Sequence, residues 1–292
     1  LDKCDALTYS LSRKLGFCTS STPCIFAWPS DKIINGVIPR YGVNLRFVNY
    51  TIDPNGNYAL TGINKDLTIN MFIALDDNFN VLFSEELRSK IVYDNVYHGI
   101  QDIKVIYANN NMYYIGTDYD GKLLLNFGLY DIEGKKTYGS IIPSPFNGDC
   151  EKNWAMFNAD DNIKIVYCWH PILIGDVSDG RLIINREIKT PPIFKFLRGS
   201  TNGIVYNDQL WFITHCVLYE TPRKYLHCIV VLNKYTYELE KYSKLFKFDG
   251  EPIEYCLGIV IDNDRFIVSY STWDRESKIV SYPMDYIDSI FM

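Results

Sequence analysis

The chain has 292 residues, of which 47% are hydrophobic and 22% charged, so it can bury a large core as one large all-β domain or as two smaller domains. Its formal net charge of −6 argues against a nucleic-acid partner, because proteins that bind the phosphate backbone usually carry a basic excess. Its apolar runs are far shorter than the roughly 20 residues that span a bilayer, so no membrane segment is predicted.

Residues 1–40 are predicted to be an N-terminal segment that precedes the repeating part of the chain. The segment carries charged side chains such as Asp2 and Arg13 instead of one long apolar core, so it lacks the pattern of a signal peptide. Because the sequence starts at Leu1 rather than Met, the chain is a candidate for one domain of a longer protein. Residues 24–27 are a candidate strand within this segment.

The eight cysteines are too few for a disulfide scaffold, and no Cys-x-x-Cys pair occurs. Several of them lie in apolar runs, where free cysteine behaves as a small core residue. We therefore expect reduced cysteines and a cytoplasmic protein, with Cys4, Cys18 and Cys24 as the disulfide candidates if the compartment is oxidising.

From residue 41 onwards, short runs rich in Ile, Val, Tyr and Phe alternate with turns that carry Asn, Asp or Gly. This pattern is typical of antiparallel strands and predicts a nearly all-β fold. Clear hairpin turns fall at residues 53–57 and 108–111, and further turns fall at residues 158–162, 207–208 and 262–264. One helix is predicted, over residues 83–93.

The hairpins recur about every 50 residues, which is a spacing typical of repeated blades. The first strands of the five units fall near Arg46, Ile103, Trp154, Gly203 and Leu257. Residues 41–292 are therefore predicted to form a five-bladed β-propeller of four-stranded antiparallel blades, in which radial closure protects the strand edges. The last unit is short of a strand, which residues 24–27 are expected to supply. A pair of β-sandwiches is the rival architecture, but no linker divides the chain.

The innermost strands of a propeller line its central channel, so polar residues near the starts of those strands converge on one pocket. Such a pocket suits sugar chemistry, because carboxylates act as acid or base at a glycosidic oxygen while cations bind an anionic group such as phosphate. The candidate site residues are Arg46, Asn49, Asp102, Lys104, Glu151, Lys152, Asn153, Arg198, His215, Tyr225, Glu254 and Asp274.

Some of these residues also fit structural roles, which stay open at this point. The alternatives are a turn cap for Asp102, a hydrogen-bonded core position for His215, a surface ion pair for Glu151 with Lys152, and a buried pair for Arg198 with Glu254. Histidine and cysteine lack the spacing of metal ligands, and neither a Walker loop nor a dinucleotide fingerprint occurs. Neither a metal nor a cofactor is therefore predicted.

An ordered set of short segments comprises residues 99–104, Thr214 with His215, Tyr225, and residues 253–258. In this order the segments resemble those of the mannoside phosphorylases and related five-bladed glycosidases. The resemblance implies that Asp102 transfers the proton and that Lys104, Lys152, His215 and Tyr225 bind phosphate. The family motif has Pro-Arg where this chain has Ile103 and Lys104, so a bidentate guanidinium contact to phosphate is lost there. The two alternatives are that Arg198 or Arg223 replaces this contact, or that the donor is a nucleotide sugar whose diphosphate is bound differently.

A more specific resemblance is to a propeller domain of glycosyltransferase-like proteins of giant viruses and some bacteria. It rests on residues 150–154, 167–172, 198–201, 222–227 and 254–258. It implies the synthesis of polysaccharides or of glycoprotein glycans, in the host cytoplasm if the source is viral.

The sequence thus predicts a carbohydrate-active enzyme, either a glycosyltransferase or a glycoside phosphorylase, that acts on a glycan with a sugar phosphate or a nucleotide sugar. The alternative is a non-catalytic glycan-binding or scaffold module of a larger glycosylation protein. The module hypothesis predicts sugar binding without turnover.

Overall fold

A computed structural model describes residues 19–61, 66–89 and 97–292. These residues are nearly all β-structure and form five antiparallel blades arranged as a propeller, which confirms the predicted fold. No helix in these described ranges is long and apolar enough to cross a membrane.

The first blade contains an additional hairpin. The strands of this blade are β1 (Thr19–Ala27), β2 (Tyr41–Val48), β3 (Tyr50–Ile52), β4 (Tyr58–Leu60), β5 (Asp66–Leu75), β6 (Val81–Leu87) and β7 (Tyr97–His98). The four main strands run in the order β1, β2, β5, β6 from the axis outwards. The hairpin of β3 and β4 follows β2, and the short β7 pairs in parallel with β5.

The second and third blades are regular four-stranded meanders in which each strand pairs with the next. The second blade consists of β8 (Gln101–Ala108), β9 (Asn111–Tyr119), β10 (Leu123–Asp131) and β11 (Lys136–Ile142). The third blade consists of β12 (Ala155–Ala159), β13 (Asn162–Trp169), β14 (Ile172–Ser178) and β15 (Arg181–Ile188).

In the fourth blade the innermost strand is split into two pieces that both pair with the second strand. A 3-10 helix (Pro192–Phe196) leads into β16 (Arg198–Gly199), β17 (Ile204–Tyr206), β18 (Gln209–Leu218), β19 (Lys224–Asn233) and β20 (Leu239–Tyr242). The fifth blade has three strands in the described chain and ends in a short helix: β21 (Glu254–Asp262), β22 (Arg265–Thr272), β23 (Glu276–Pro283) and α1 (Met284–Ser289).

Residues 24–27 do form a strand, but in a different blade from the expected one. They belong to β1, which pairs along its length with β2 and is the innermost strand of the first blade, so the strand that contains Arg46 is the second one. Side chains then attach β1 to the fifth blade, since Ser269 Oγ accepts from Ile25 N at 2.9 Å and donates to Pro23 O at 2.8 Å. The ring therefore closes between the first and fifth blades by packing and side-chain hydrogen bonds.

The predicted helix over residues 83–93 is wrong in its described part. Residues up to Leu87 continue β6, which pairs with β5, and residues 90–93 lie outside the described ranges. Phe83 packs its ring 5.7 Å from that of Phe72 on β5. Pairing with a neighbouring strand and burial of one face outweigh the helical preference of Glu85 and Glu86.

His227 is an unusual member of the core between the fourth and fifth blades. Its side chain is 0% exposed, its ring lies 4.6 Å from that of Phe248, and neither ring nitrogen has a hydrogen-bond partner among the described residues. Burial lowers the pKa of the imidazole from 6.5 to about 3. The folded protein therefore holds His227 neutral at a pH at which the unfolded chain protonates it.

This difference predicts a loss of stability in mild acid. Between pH 6.5 and 3 the unfolded state binds a proton that the folded state does not, so the free energy of unfolding falls as the pH falls. His227 alone should remove about 2 kcal/mol between pH 7.5 and pH 5. Urea unfolding at several pH values measures this loss. The loss should be smaller in H227F, and it should be unchanged in H170Q, which replaces the exposed His170. An equal pH slope in H227F would contradict the assignment.

Candidate functional site

One end of the central channel opens into a cavity of 580 Å³, hereafter the central cavity. All five blades contribute to its lining, and so does the β3–β4 hairpin of the first blade. Among the residues predicted from the sequence, those in the lining are Arg46, Asp102, Lys152, Asn153, Arg198, His215, Tyr225 and Asp274. Residues near the starts of innermost strands, such as Asp102 and Arg198, thus meet residues of second and third strands, such as Arg46 and Tyr225, in one polar cavity. Its volume is in the range typical of ligand sites.

Asp102 lies at the start of β8, where a bulge between Gln101 and Lys104 interrupts the pairing with β9. Its backbone is left-handed, with φ at 53°, a conformation that Asp and Asn adopt more readily than most residues. Arg46 Nη1 lies 2.9 Å from Asp102 Oδ1, and Thr22 Oγ1 donates to the same oxygen at 3.1 Å. With 27% of its side chain exposed, Asp102 is a fixed carboxylate that a ligand in the cavity can reach.

Asp274 supplies a second carboxylate to the central cavity, from the turn between β22 and β23. Tyr50 donates its hydroxyl hydrogen to Asp274 Oδ2 at 2.9 Å. Burial raises the pKa of Asp274, the charge of Arg46 opposes this rise, and the negative charge of Asp102 adds to it. The two carboxylates thus occupy different environments, since Asp102 is paired with a guanidinium and Asp274 is partly buried beside a phenol.

Four cationic side chains face these two carboxylates in the central cavity, although the whole chain is acidic. Arg46 pairs with Asp102, while Lys152 and Arg198 are exposed and form no ion pair within the described ranges. Arg223 lies with its guanidinium 4.9 Å from the centre of the Tyr58 ring and donates to the Tyr58 hydroxyl. The lining therefore carries an excess of positive charge that suits an anionic ligand.

His215 contributes a neutral group to this lining. It is buried on β18, its Nδ1 lies 2.8 Å from Ser200 Oγ, and its ring lies 5.1 Å from that of Tyr255. Burial lowers the pKa of His215 well below its ordinary value, and the neighbouring His227 and Arg198 lower it further. At neutral pH His215 is therefore a hydrogen-bonding group rather than a cation.

Four of the predicted residues lie outside the lining of the central cavity, and each is held by other parts of the protein. Lys104 is buried and donates to Trp154 O, and burial lowers its pKa to about 8. Glu151 accepts hydrogen bonds from Trp154 Nε1 and the Tyr167 hydroxyl, both at 3.1 Å. Asn49 Oδ1 accepts from Leu67 N at 2.7 Å, and Glu254 accepts from three backbone amides.

The central cavity also contains aromatic residues that the sequence did not single out. Tyr50 and Tyr58 flank the turn at residues 53–57, which was identified as a hairpin without any sign that it folds over the cavity. Its tip reaches the fourth blade, since a Cβ on Gly56 would lie 3.4 Å from Pro222. Tyr255 donates to Asn153 Oδ1 at 2.8 Å and connects the fifth blade to the third. In the sequence, the only signal for Tyr255 was its position next to Glu254 at the start of a strand.

No group of three or more His, Cys, Asp or Glu side chains in the described part of the chain could hold a metal ion. The chemistry that the lining does offer is proton transfer by a carboxylate, binding of an anion, and packing of sugar rings against tyrosines.

Comparison with known proteins shows similarity at the level of the fold. No family model matches the sequence, and no curated protein matches it. A β-1,2-mannobiose phosphorylase from Listeria innocua, solved with β-1,2-mannobiose, has a TM-score of 0.64 at 11% identity, over 93% of this chain and 91% of that one. A mannose phosphorylase from Leishmania mexicana, solved with phosphate, has a TM-score of 0.55 at 10% identity, over 97% and 94%.

A third structure comes from work on the GH130 family of mannoside phosphorylases, described as containing glycoside hydrolases that target β-1,2 mannosidic linkages in Candida mannan. It has a TM-score of 0.60 at 9% identity, over 92% of this chain and 85% of that one. At such low identity these similarities establish a shared propeller fold over nearly the whole chain.

Proposed function

We propose that the protein is a carbohydrate-active enzyme of the glycoside phosphorylase type, which transfers a hexosyl group between a glycan and phosphate in the central cavity. The observation that carries the proposal is the joint presence of two carboxylates and an excess of cations in one cavity of 580 Å³. The structural similarity to mannoside phosphorylases, one of them solved with phosphate, supports this reaction class and makes β-mannosides the first substrates to test.

In phosphorolysis the bond between the anomeric carbon and the glycosidic oxygen breaks, and a phosphate oxygen forms the new bond to that carbon. The proposed role of Asp102 is to give a proton to the departing glycosidic oxygen. In the synthetic direction the same carboxylate takes a proton from the acceptor hydroxyl, while the sugar phosphate releases phosphate. Its fixed position beside Arg46 and Thr22 supports this role, because proton transfer requires a positioned group.

The proposed phosphate site consists of Lys152 and Arg198, with Arg223 as a further cation in the lining of the cavity. Lys152 and Arg198 have no carboxylate partner in the described chain, so phosphate would not displace an existing ion pair. His215 and Tyr225 line the same side of the cavity and offer neutral hydrogen bonds. Lys104 stands at the family's arginine position, but it donates to Trp154 O and lies outside the lining of the cavity. Arg198 or Arg223 would therefore provide the guanidinium contact to phosphate.

The test is an assay of β-1,2-mannobiose with inorganic phosphate, followed by 31P NMR for a mannose phosphate. The wild-type protein should release it only when phosphate is present. R198M should raise the KM for phosphate about tenfold or more, because it removes a charged hydrogen bond. R186M, which changes an exposed arginine on β15, should behave as wild type. Absence of phosphate-dependent product over a panel of β-mannosides would contradict the proposal.

Two other functions are transfer from a nucleotide sugar and glycan binding without turnover. The burial of Lys104 favours either of them over phosphorolysis. The loss of a guanidinium at that position removes a phosphate ligand that the phosphorylase motif carries. Adding nucleotide sugars in place of phosphate to the same assay separates these functions. Transfer with a nucleotide sugar alone indicates a glycosyltransferase, and sugar binding without any product indicates a binding module.

A further inference from the structure

A second cavity of 370 Å³, hereafter the side cavity, adjoins the central cavity at the third and fourth blades. The two cavities share Lys152, Asn153 and Arg198 in their linings. The remaining wall of the side cavity includes Tyr167 and Cys168 on β13. A ligand that fills the central cavity can therefore extend into the side cavity past these three shared residues.

Tyr167 belongs to the lining of the side cavity, and Phe146 packs against Tyr167 outside that lining. Phe146, on the connection between the second and third blades, has 61% of its side chain exposed, and its ring lies 5.3 Å from that of Tyr167. An exposed phenylalanine beside a tyrosine at a cavity is a surface against which the apolar face of a sugar ring can pack.

The polar groups of the side cavity are held in fixed positions. Glu151 is buried and accepts hydrogen bonds from Ser144 Oγ, Trp154 Nε1 and the Tyr167 hydroxyl, so the Tyr167 ring is fixed by its own hydroxyl group. A buried carboxylate disfavours an anion deep in this cavity, whereas sugar hydroxyls can donate to it and can accept from the amide of Asn153. The lining thus fits a neutral sugar better than a second phosphate.

We propose that the side cavity binds a further sugar unit of the glycan whose reacting sugar occupies the central cavity. This inference rests on the proposed function and extends it to the substrate class, which becomes an oligosaccharide of at least three sugar units. Phe146 and Tyr167 provide the packing surface for the added unit, and Asn153, which the two cavities share, lies along its path.

The test compares β-1,2-linked mannobiose with the corresponding mannotriose, by calorimetric affinity and by KM in the phosphorolysis assay. The wild-type protein should bind the trisaccharide about tenfold more tightly. F146A should reduce that ratio to about threefold or less. Y235A removes an exposed aromatic side chain from the turn after β19, outside both cavities, and should keep the ratio.

The outcomes separate this inference from the function on which it rests. Phosphorolysis of both sugars with equal affinities, or a tenfold ratio that survives in F146A, would overturn the side-cavity inference and leave the proposed reaction intact. If neither sugar binds and neither undergoes phosphorolysis, both the side-cavity inference and the proposed function are overturned. A preference for the trisaccharide that F146A removes would support the inference even if no phosphorolysis is observed, since it is measured by binding alone.

Discussion

D102N should lower the rate of hexosyl transfer by about 10²- to 10⁴-fold, which is the usual contribution of a positioned acid or base. The amide keeps an oxygen that can accept from Arg46 and Thr22, and asparagine tolerates the left-handed backbone of this position. It cannot exchange the proton, so kcat should fall while the affinity for glycan changes by only a few-fold. Steady-state kinetics in the phosphorolytic and synthetic directions measure both quantities.

A matched control comes from Asp179, an exposed turn residue of the third blade with φ at 50°. D179N makes the same chemical change on the same backbone conformation outside the cavities, so it should leave turnover unchanged. Turnover that is preserved in D102N but lost in D274N would contradict the assignment and make Asp274 the proton carrier. The raised pKa of Asp274 makes this comparison informative, because a carboxyl group that resists ionisation is suited to donate a proton.

E254A should lower the free energy of unfolding by about 3 kcal/mol, because it removes the buried, charged acceptor of three backbone N–H groups. The Glu254 side chain is 0% exposed, and its carboxylate accepts from the backbone N–H groups of Phe248 at 2.7 Å, Asp249 at 2.9 Å and Glu251 at 2.8 Å. Two of these bonds go to Oε1 and one to Oε2, so E254Q, which keeps a single acceptor oxygen, should cause a smaller loss. Denaturant unfolding at pH 7.5 measures both variants.

The same substitution should disturb the central cavity indirectly. Glu254 fixes the loop that carries Glu251, and Glu251 Oε2 accepts from Trp273 Nε1 at 2.8 Å, next to Asp274. Loss of the Glu254 hydrogen bonds should therefore raise the KM for the glycan and also lower the stability of the protein. If E254A unfolded as wild type but lost glycan binding, Glu254 would contact the ligand directly, as the sequence first suggested.

Much of the architecture is encoded locally. The hairpin turn at residues 53–57 and the turns between β8 and β9 and between β12 and β13 carry Asn, Asp or Gly where the backbone requires them. Alternation of apolar residues then fixes the flanking strands, and the regular recurrence of these hairpins predicted five blades. Such signals depend only on neighbours in the sequence, which is why they can be read from it.

The pairing of β1 with β2 is a contrary example. Residues 24–27 have the pattern of a strand, but the pattern does not specify the partner, because the first and fifth blades both contain largely buried strands, β2 and β21. The partner is decided by the register with β2 and by contacts such as that between Ile25 and Ser269, which are 244 positions apart. Likewise, β6 is a strand because β5 is beside it.

The sequence by itself determined the residue types of the site, namely acids, cations, histidine and tyrosine near the starts of inner strands. The tertiary structure alone decided which of them share a cavity. Asp102 meets Arg46 across 56 positions and Asp274 meets Tyr50 across 224, whereas Lys104, two residues from Asp102, is buried against Trp154. Whether a polar side chain faces the cavity or satisfies a buried backbone group depends on packing between distant segments, and no local pattern records it.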